Sequence, residues 1–301
     1  MLVFTVLADF SGAAANALEY ASFLARQLTA RQLSVRLRVL SVAADLSTTQ
    51  GLSAAPTLPP LELLNQRLAL LERLQNASIP YTHELLQQPV AECLPDMMSA
   101  ALPTVFICGR TDTTAPSAEQ TLLHLIRLVT HPMLLVPEQY REHAIPQRIV
   151  FDTDRKPVHL SKSVAIVPEF LLQFQTNRVL YLGQGRAGAR RLLTRVIPEA
   201  VAIHIYTTAQ APEPDDILAN VHATQLLHGL SHTIQTNQHF SIEQGIIETA
   251  LSNSADLLMF VARQQSLPGE LFYGSPTAGL MLHTPIPALV IPEAAPVLWP
   301  G

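Results

Sequence analysis

Residues 183–188 read Gly183-Gln184-Gly185-Arg186-Ala187-Gly188, a literal G-x-G-x-x-G. That spacing suits a tight turn, close approach of the main chain to a pyrophosphate, and packing of a following helix. An apolar segment precedes it, and residues 189–196 have the spacing of a helix. The next strand should then present an acid to the ribose, about 20 residues on. It reads Ile203-His204-Ile205-Tyr206-Thr207-Thr208 instead, with no acid. A plain strand-to-helix turn is therefore preferred, and a dinucleotide-binding enzyme through Gly183–Gly188 is an alternative. The same segment carries Arg178, Arg186, Arg190, Arg191 and Arg195 with no acid before Glu199. An anion held by Arg186, Arg190 and Arg191 at a helix start competes with the commoner solvated face.

Phe151-Asp152-Thr153-Asp154 has the Asp-x-Asp form of phosphatases that attack phosphorus with one carboxylate and hold magnesium with both. The Gly-Thr expected next is Arg155-Lys156, so the match ends there. Cys93 and Cys108 read as buried small hydrophobes. The eleven histidines are scattered, without His-Glu-x-x-His or Cys-x-x-Cys, and no metal site is expected. Nor is there a Gly-x-Ser-x-Gly elbow. Catalytic residues: none are expected.

The elements that must position these residues follow from composition and period. The chain has 301 residues, enough for two domains. Hydrophobic residues make up 48% and charged residues only 14%, so it can bury large cores and is not disordered as a whole. Its net charge of −5 is shared between both halves and argues against nucleic acid as a partner. No apolar run approaches the ~20 residues that span a bilayer. Residues 2–8 imitate a signal peptide, but no basic residue precedes them and Asp9 follows at once, so a cytoplasmic protein is expected.

Residues 2–8, 34–42, 81–86, 104–108 and 133–136 read as strands, and residues 61–74, 90–100 and 118–129 as helices, with another helix after Ser11. Strands apolar throughout, alternating with helices, imply parallel crossovers covered on both faces. After a polar connector at residues 138–147 the pattern restarts. Residues 148–154 are again a strand running into acid, and residues 286–293, Ile-Pro-Ala-Leu-Val-Ile-Pro-Glu, mirror residues 131–138, His-Pro-Met-Leu-Leu-Val-Pro-Glu. A period near 150 residues means a duplicated domain, since solenoid repeats run roughly 20–50. Between residues 178 and 207 the second half fits two strands, 179–182 and 201–206, around a helix at 189–196. Either an extra βα unit is inserted or one strand is misassigned.

At this point the chain resembles a tandem universal stress protein. The resemblance rests on Ala8-Asp9-Phe10-Ser11 with Ala17-Leu18-Glu19-Tyr20-Ala21, and on both closing runs. It implies two tandem doubly wound parallel-sheet α/β domains of the adenine nucleotide alpha hydrolase-like type, with five strands each. These are residues 1–140 and a divergent 148–301, joined by a linker at 141–147. It also implies ATP binding in the subset that carries Gly-x-x-Gly, nine residues, then Gly-Ser/Thr. Bare N–H groups there wrap phosphates where a Cβ would collide. Here the second copy keeps Gly274-Ser275, while the earlier glycine positions hold Val261 and Gln264. In the first copy Gly109 lies near the first glycine, but Asp112 and Glu119-Gln120 occupy the others.

The expectation is a non-enzymatic stress-response regulatory or binding protein with degraded phosphate loops. Its cofactor is none, or ATP held weakly by the second copy. Asp9, Gly109, Asp154, Gly274 and Ser275 are the candidate binding residues. The alternative is an ATP- or AMP-binding protein using the second domain. The two copies are expected to form an intramolecular pseudo-dimer across their closing strands, with protein partners conceivable and no membrane partner.

Overall fold

A computed structural model describes residues 1–42, 60–76, 78–86, 90, 92–93, 102–111, 125, 128–153, 156–182, 190–207, 213–263 and 276–294, with the backbone alone for 42, 60–64, 176–182 and 190–196. Asp154, Gly274 and Ser275 lie outside these residues, as do Gln264 and the Gly183–Gly188 segment.

β1 (Leu2–Ala8) is buried at every position, and Ser11 caps the helix that follows. The Ser11 hydroxyl accepts from the Ala14 N–H at 3.1 Å, satisfying one of the orphan donors of the first turn. That helix, α1 (Gly12–Thr29), buries Ala17, Leu18, Ala21, Leu24, Ala25 and Leu28 along one face. Next come β2 (Val35–Val42), α2 (Pro60–Asn76), β3 (Tyr81–Leu86), β4 (Thr104–Arg110) and β5 (Met133–Pro137). The second half runs β6 (Arg148–Asp152), α3 (Ile166–Leu172), β7 (Thr176–Leu182), β8 (Arg190–Val196), β9 (Glu199–Tyr206), α4 (Pro214–Thr224), β10 (Ser231–Gln238), α5 (Ile242–Ser252), β11 (Leu257–Ala262), α6 (Pro276–His283) and β12 (Ala288–Pro292).

Ten strands form one sheet in the order β10-β9-β6-β11-β12-β5-β4-β1-β2-β3. In this sheet all pairings within each half are parallel. At the centre β12 meets β5 antiparallel, with Ala288, Leu289 and Val290 opposite Leu135, Leu134 and Met133. Counted from either edge, the two sets of five strands have the same connectivity. The centre is dry, since β5 and β12 are buried throughout. The edges are polar. β3 alternates half-buried and exposed residues, with Glu84 paired to Arg38 at 3.1 Å, and β10 reads Ser-His-Thr-Ile-Gln-Thr-Asn-Gln.

Strand residues alternate between two apolar layers. Phe4, Val6, Met259 and Leu289 lie with α1, α3 and α4 on one face; Leu7, Phe106, Leu258 and Val290 lie with α5 and α6 on the other. Both layers cross the middle of the sheet. On the first face Phe170 of α3 meets Phe4 of β1 edge-on at 5.9 Å, and Arg31 donates to the Gln173 carbonyl at 2.6 Å.

One segment departs from the reading of the sequence. Residues 190–196 are a strand, paired antiparallel with β7 in a two-stranded ribbon outside the main sheet. The insertion is thus a ribbon and not a βα unit. A strand follows Gly183–Gly188 where a dinucleotide loop must open a helix, which removes the basis of that enzyme reading. The helix start that the alternative anion site on Arg186, Arg190 and Arg191 requires is not found at the described residues, since Arg190 and Arg191 are consecutive strand residues. The ribbon follows from pairing: Val179 and Leu180 stand opposite Leu193 and Leu192, a partnership that periodicity along one segment cannot reveal.

Candidate functional site

An open parallel sheet offers its ligand crevice where the strand order reverses, beyond the carboxyl ends of the strands. Here the reversals fall between β1 and β4 in the first half and between β6 and β11 in the second. Because β5 and β12 are antiparallel, these two places lie at opposite ends of the sheet.

In the second half the reversal opens into a cleft of about 230 Å³. Asp152 and Thr153 line it from the end of β6, Val261 and Arg263 from the end of β11, Asn220 and Thr224 from α4, and Pro276, Thr277 and Leu280 from α6. Its polar groups are held in place. Thr153 donates from Oγ1 to Asn220 Oδ1 at 2.7 Å, and Asn220 Nδ2 donates to the Lys156 carbonyl at 3.0 Å. The buried His204 places Nδ1 2.6 Å from the Thr153 carbonyl.

Arg263 is a strut across the same wall. Its guanidinium donates to the carbonyls of Pro157 at 3.0 Å and Lys156 at 2.8 Å, and pairs with Glu293 at 3.1 Å. The chain after β6 is thereby tied to the chain after β12. Thr153, Asn220 and Arg263 were not among the binding residues expected from sequence. The signal that could have found Arg263 is its place 153 residues after Arg110, close to the repeat period.

The first half differs at the equivalent place. A Cβ on Gly109 would stand 2.3 Å from both the carbonyl carbon and oxygen of Ala13 and 2.6 Å from the Ala14 nitrogen. The first turn of α1 therefore rests directly on the end of β4, where a phosphate-facing glycine would need open space. Asp9 is used in the same turn, accepting from the Ser11 N–H at 3.0 Å through Oδ1. Phe10 between them has φ of 65°, an uncommon left-handed geometry for an aromatic residue. Asn16 then ties α1 down, donating to the carbonyls of Pro137 at 2.9 Å and Tyr140 at 2.8 Å. Asp9 and Gly109 thus both lie at the start of α1. Beside them, burial and then the charge of Asp9 push the Cys108 thiol up to about 12.

Arg110, one residue on, reaches across the molecule. It is buried and donates to the carbonyls of Leu282 and, at 2.7 Å, Thr284, at the end of α6. Four C-terminal carbonyls of any helix lack intrahelical partners, and a guanidinium there also meets the negative end of the helix dipole. The reciprocal contact is made differently: Ser163, just before α3, donates to the Thr130 carbonyl of the first half at 2.6 Å. Among the described residues no group of three His, Cys, Asp or Glu could hold a metal ion, and no helix is long and apolar enough to cross a membrane.

No protein-family model and no curated protein matches the sequence. Solved structures do match the fold. A universal stress protein from Archaeoglobus fulgidus superposes with a TM-score of 0.60 at 12% identity, over 97% of this chain and 98% of that one. A functionally unknown protein from Pseudomonas aeruginosa gives 0.51 at 12% identity, over 97% and 92%. At such identity the likeness is one of architecture. The chain has an α/β fold, one large mixed sheet with flanking helices, of the universal stress protein type.

Proposed function

We propose that this chain is a non-enzymatic regulatory or binding protein of universal stress type, an intramolecular pseudo-dimer of residues 1–140 and 148–301, with one small-molecule cleft in its second half. The observation that carries the reading is the contrast between the two strand-order reversals. Beyond β6 and β11 lies a mainly apolar cleft that also presents Asp152, Thr153, Asn220 and Arg263, whereas beyond β1 and β4 the first turn of α1 lies directly against Gly109. The polar groups around the open cleft are engaged with one another and with main-chain carbonyls, an arrangement suited to holding a ligand in one pose.

ATP or AMP is the second reading, favoured by the position of the cleft and by Gly274-Ser275 directly before α6. Val261 and Gln264 stand where the nucleotide-binding pattern has glycine. Losing a few backbone bonds to phosphate, at roughly 1.5–3 kcal/mol each, moves a micromolar site toward millimolar. Calorimetry tests both. The expected outcome is a weak ATP response, weaker still in Asn220→Ala. A dissociation constant below about 10 μM that is lost in Gly274→Val overturns the degraded-loop reading and establishes the nucleotide reading. Mass spectrometry of small molecules released on denaturation identifies any ligand carried through purification.

A further inference from the structure

A second concavity, of about 300 Å³, lies on the outer side of the first half, away from the cleft just described. Three separate elements build it. α1 supplies Glu19, Ser22 and Arg26, α2 supplies Arg73 and Asn76, and the connector between the halves supplies His143. Glu19, Ser22 and Arg26 follow at i, i+3 and i+7, and Arg73 and Asn76 at i and i+3, so each set occupies one helix face.

Among the described residues neither arginine forms an ion pair or a side-chain hydrogen bond. Cations near helix C-termini are common and favour the dipole; these two belong to different helices and line the same hollow. The imidazole of His143 sits against the rings of Tyr20 and Phe23, at 5.8 and 6.3 Å, and its Nε2 is buried without a partner. Ser22 is 8% exposed and adds a hydroxyl to the floor. Two guanidiniums in a concavity raise the local concentration of anions, and their forked donors match tetrahedral oxyanions. Glu19 lies seven residues before Arg26, about 10 Å along the helix axis. It therefore leaves the arginine end positive and offers an acceptor at the other end of the hollow.

We infer that this hollow is a binding site for a small phosphate-bearing molecule, its oxyanion held by Arg26 and Arg73 with Asn76, Ser22 and His143 completing the hydrogen bonds. Such a ligand would clamp the connector to α1 and α2 through His143.

The test uses the full chain, with inorganic phosphate, glycerol phosphate and chloride at equal ionic strength. At tenfold excess over the dissociation constant, phosphate should raise the melting temperature by about 2–4 °C more than chloride. A larger shift with glycerol phosphate identifies an ester as the ligand class, and equal shifts identify the free ion. The double variant Arg26→Gln/Arg73→Gln, whose side chains are exposed and unpaired, should fold normally and lose the difference. Arg190→Gln/Arg191→Gln should keep it. Phosphate should also move the imidazole nitrogen resonances of His143 in the parent and leave them unmoved in the Arg26/Arg73 variant. Equal melting in phosphate and chloride, or a phosphate response that survives in the Arg26/Arg73 variant, overturns the proposal.

Discussion

Gly109 and Arg110 are neighbours on β4 with opposite requirements. Gly109 must lack a side chain because the backbone of Ala13 and Ala14 stands within 2.6 Å of where a Cβ would be. Gly109→Ala should therefore cost about 3 kcal/mol, read as a lower urea midpoint, because a helix backbone cannot yield as a side-chain tip can. Arg110 needs its full length. Arg110→Met would strand the Leu282 and Thr284 carbonyls, with Thr284 almost wholly buried, and should destabilise by about 3 kcal/mol in the same measurement. If the end of α6 also sets its start, the Arg110 variant weakens ligand binding in the second-half cleft although it touches no lining residue.

Cys108 gives a pH prediction at the same scale. Its folded-state value near 12 lies above the ordinary 9.0, so the folded chain keeps a proton that the unfolded chain sheds. Stability from this group is full below pH 9 and declines as pH rises from 9 toward 12. In Cys108→Ala the alkaline decline should be shallower. At pH 8 a thiol reagent should reach the half-buried Cys93 and spare Cys108 until denaturant is added.

Among the elements, the pair β5 and β12 joins the halves. Both strands are buried over their whole length, so a carboxylate there has no water and no partner. Leu135→Asp with Leu289→Asp should lower the melting temperature sharply and expose residues 138–147 to protease. Unchanged melting together with unchanged cleavage would mean that the α1–α3 and Arg110–α6 contacts suffice without the strand pair. These elements were legible in the sequence because a strand covered on both faces must be apolar at every position, and the closing run recurs with its Pro, Leu, Pro and Glu in the same places. β8 was not. Arg190-Arg191-Leu192-Leu193-Thr194-Arg195-Val196 fits neither period cleanly, and its identity comes from the partner opposite.

The same limit governed the site. A glycine facing phosphate and a glycine facing a helix both lack a Cβ, so Gly109 reads alike in either role until Ala13 is found against it. Arg110 and Arg263 lie about one repeat period apart, yet one reaches carbonyls more than 170 residues away and the other braces its own half. The partners are main-chain atoms, which carry no mark in a sequence.

For the whole molecule, the antiparallel centre directs the strand ends of the two halves in opposite directions, and the cleft lined by Asp152, Thr153 and Arg263 lies at one of them. A ligand of that cleft should titrate with one equivalent per chain and a Hill coefficient of one, which calorimetry reads directly. A second equivalent abolished by Arg26→Gln/Arg73→Gln would belong to the α1–α2 hollow.

The polar rims of the sheet bear on how this protein behaves when crowded. β5 and β12, both buried along their whole length, are spent on each other, so the open edges of the main sheet are β3 and β10. There an incoming strand meets His83, Glu84, Gln235 and Asn237, groups already engaged with Ser41, Arg38, Asn253 and Thr249. The faces of these edge strands are thus polar and hydrogen-bonded, which disfavours the dry sheet-on-sheet stacking that fibril growth needs. A chain carrying valine at Thr82 and Glu84 would lose that protection, and should turn a concentrated solution turbid while melting no earlier than the parent.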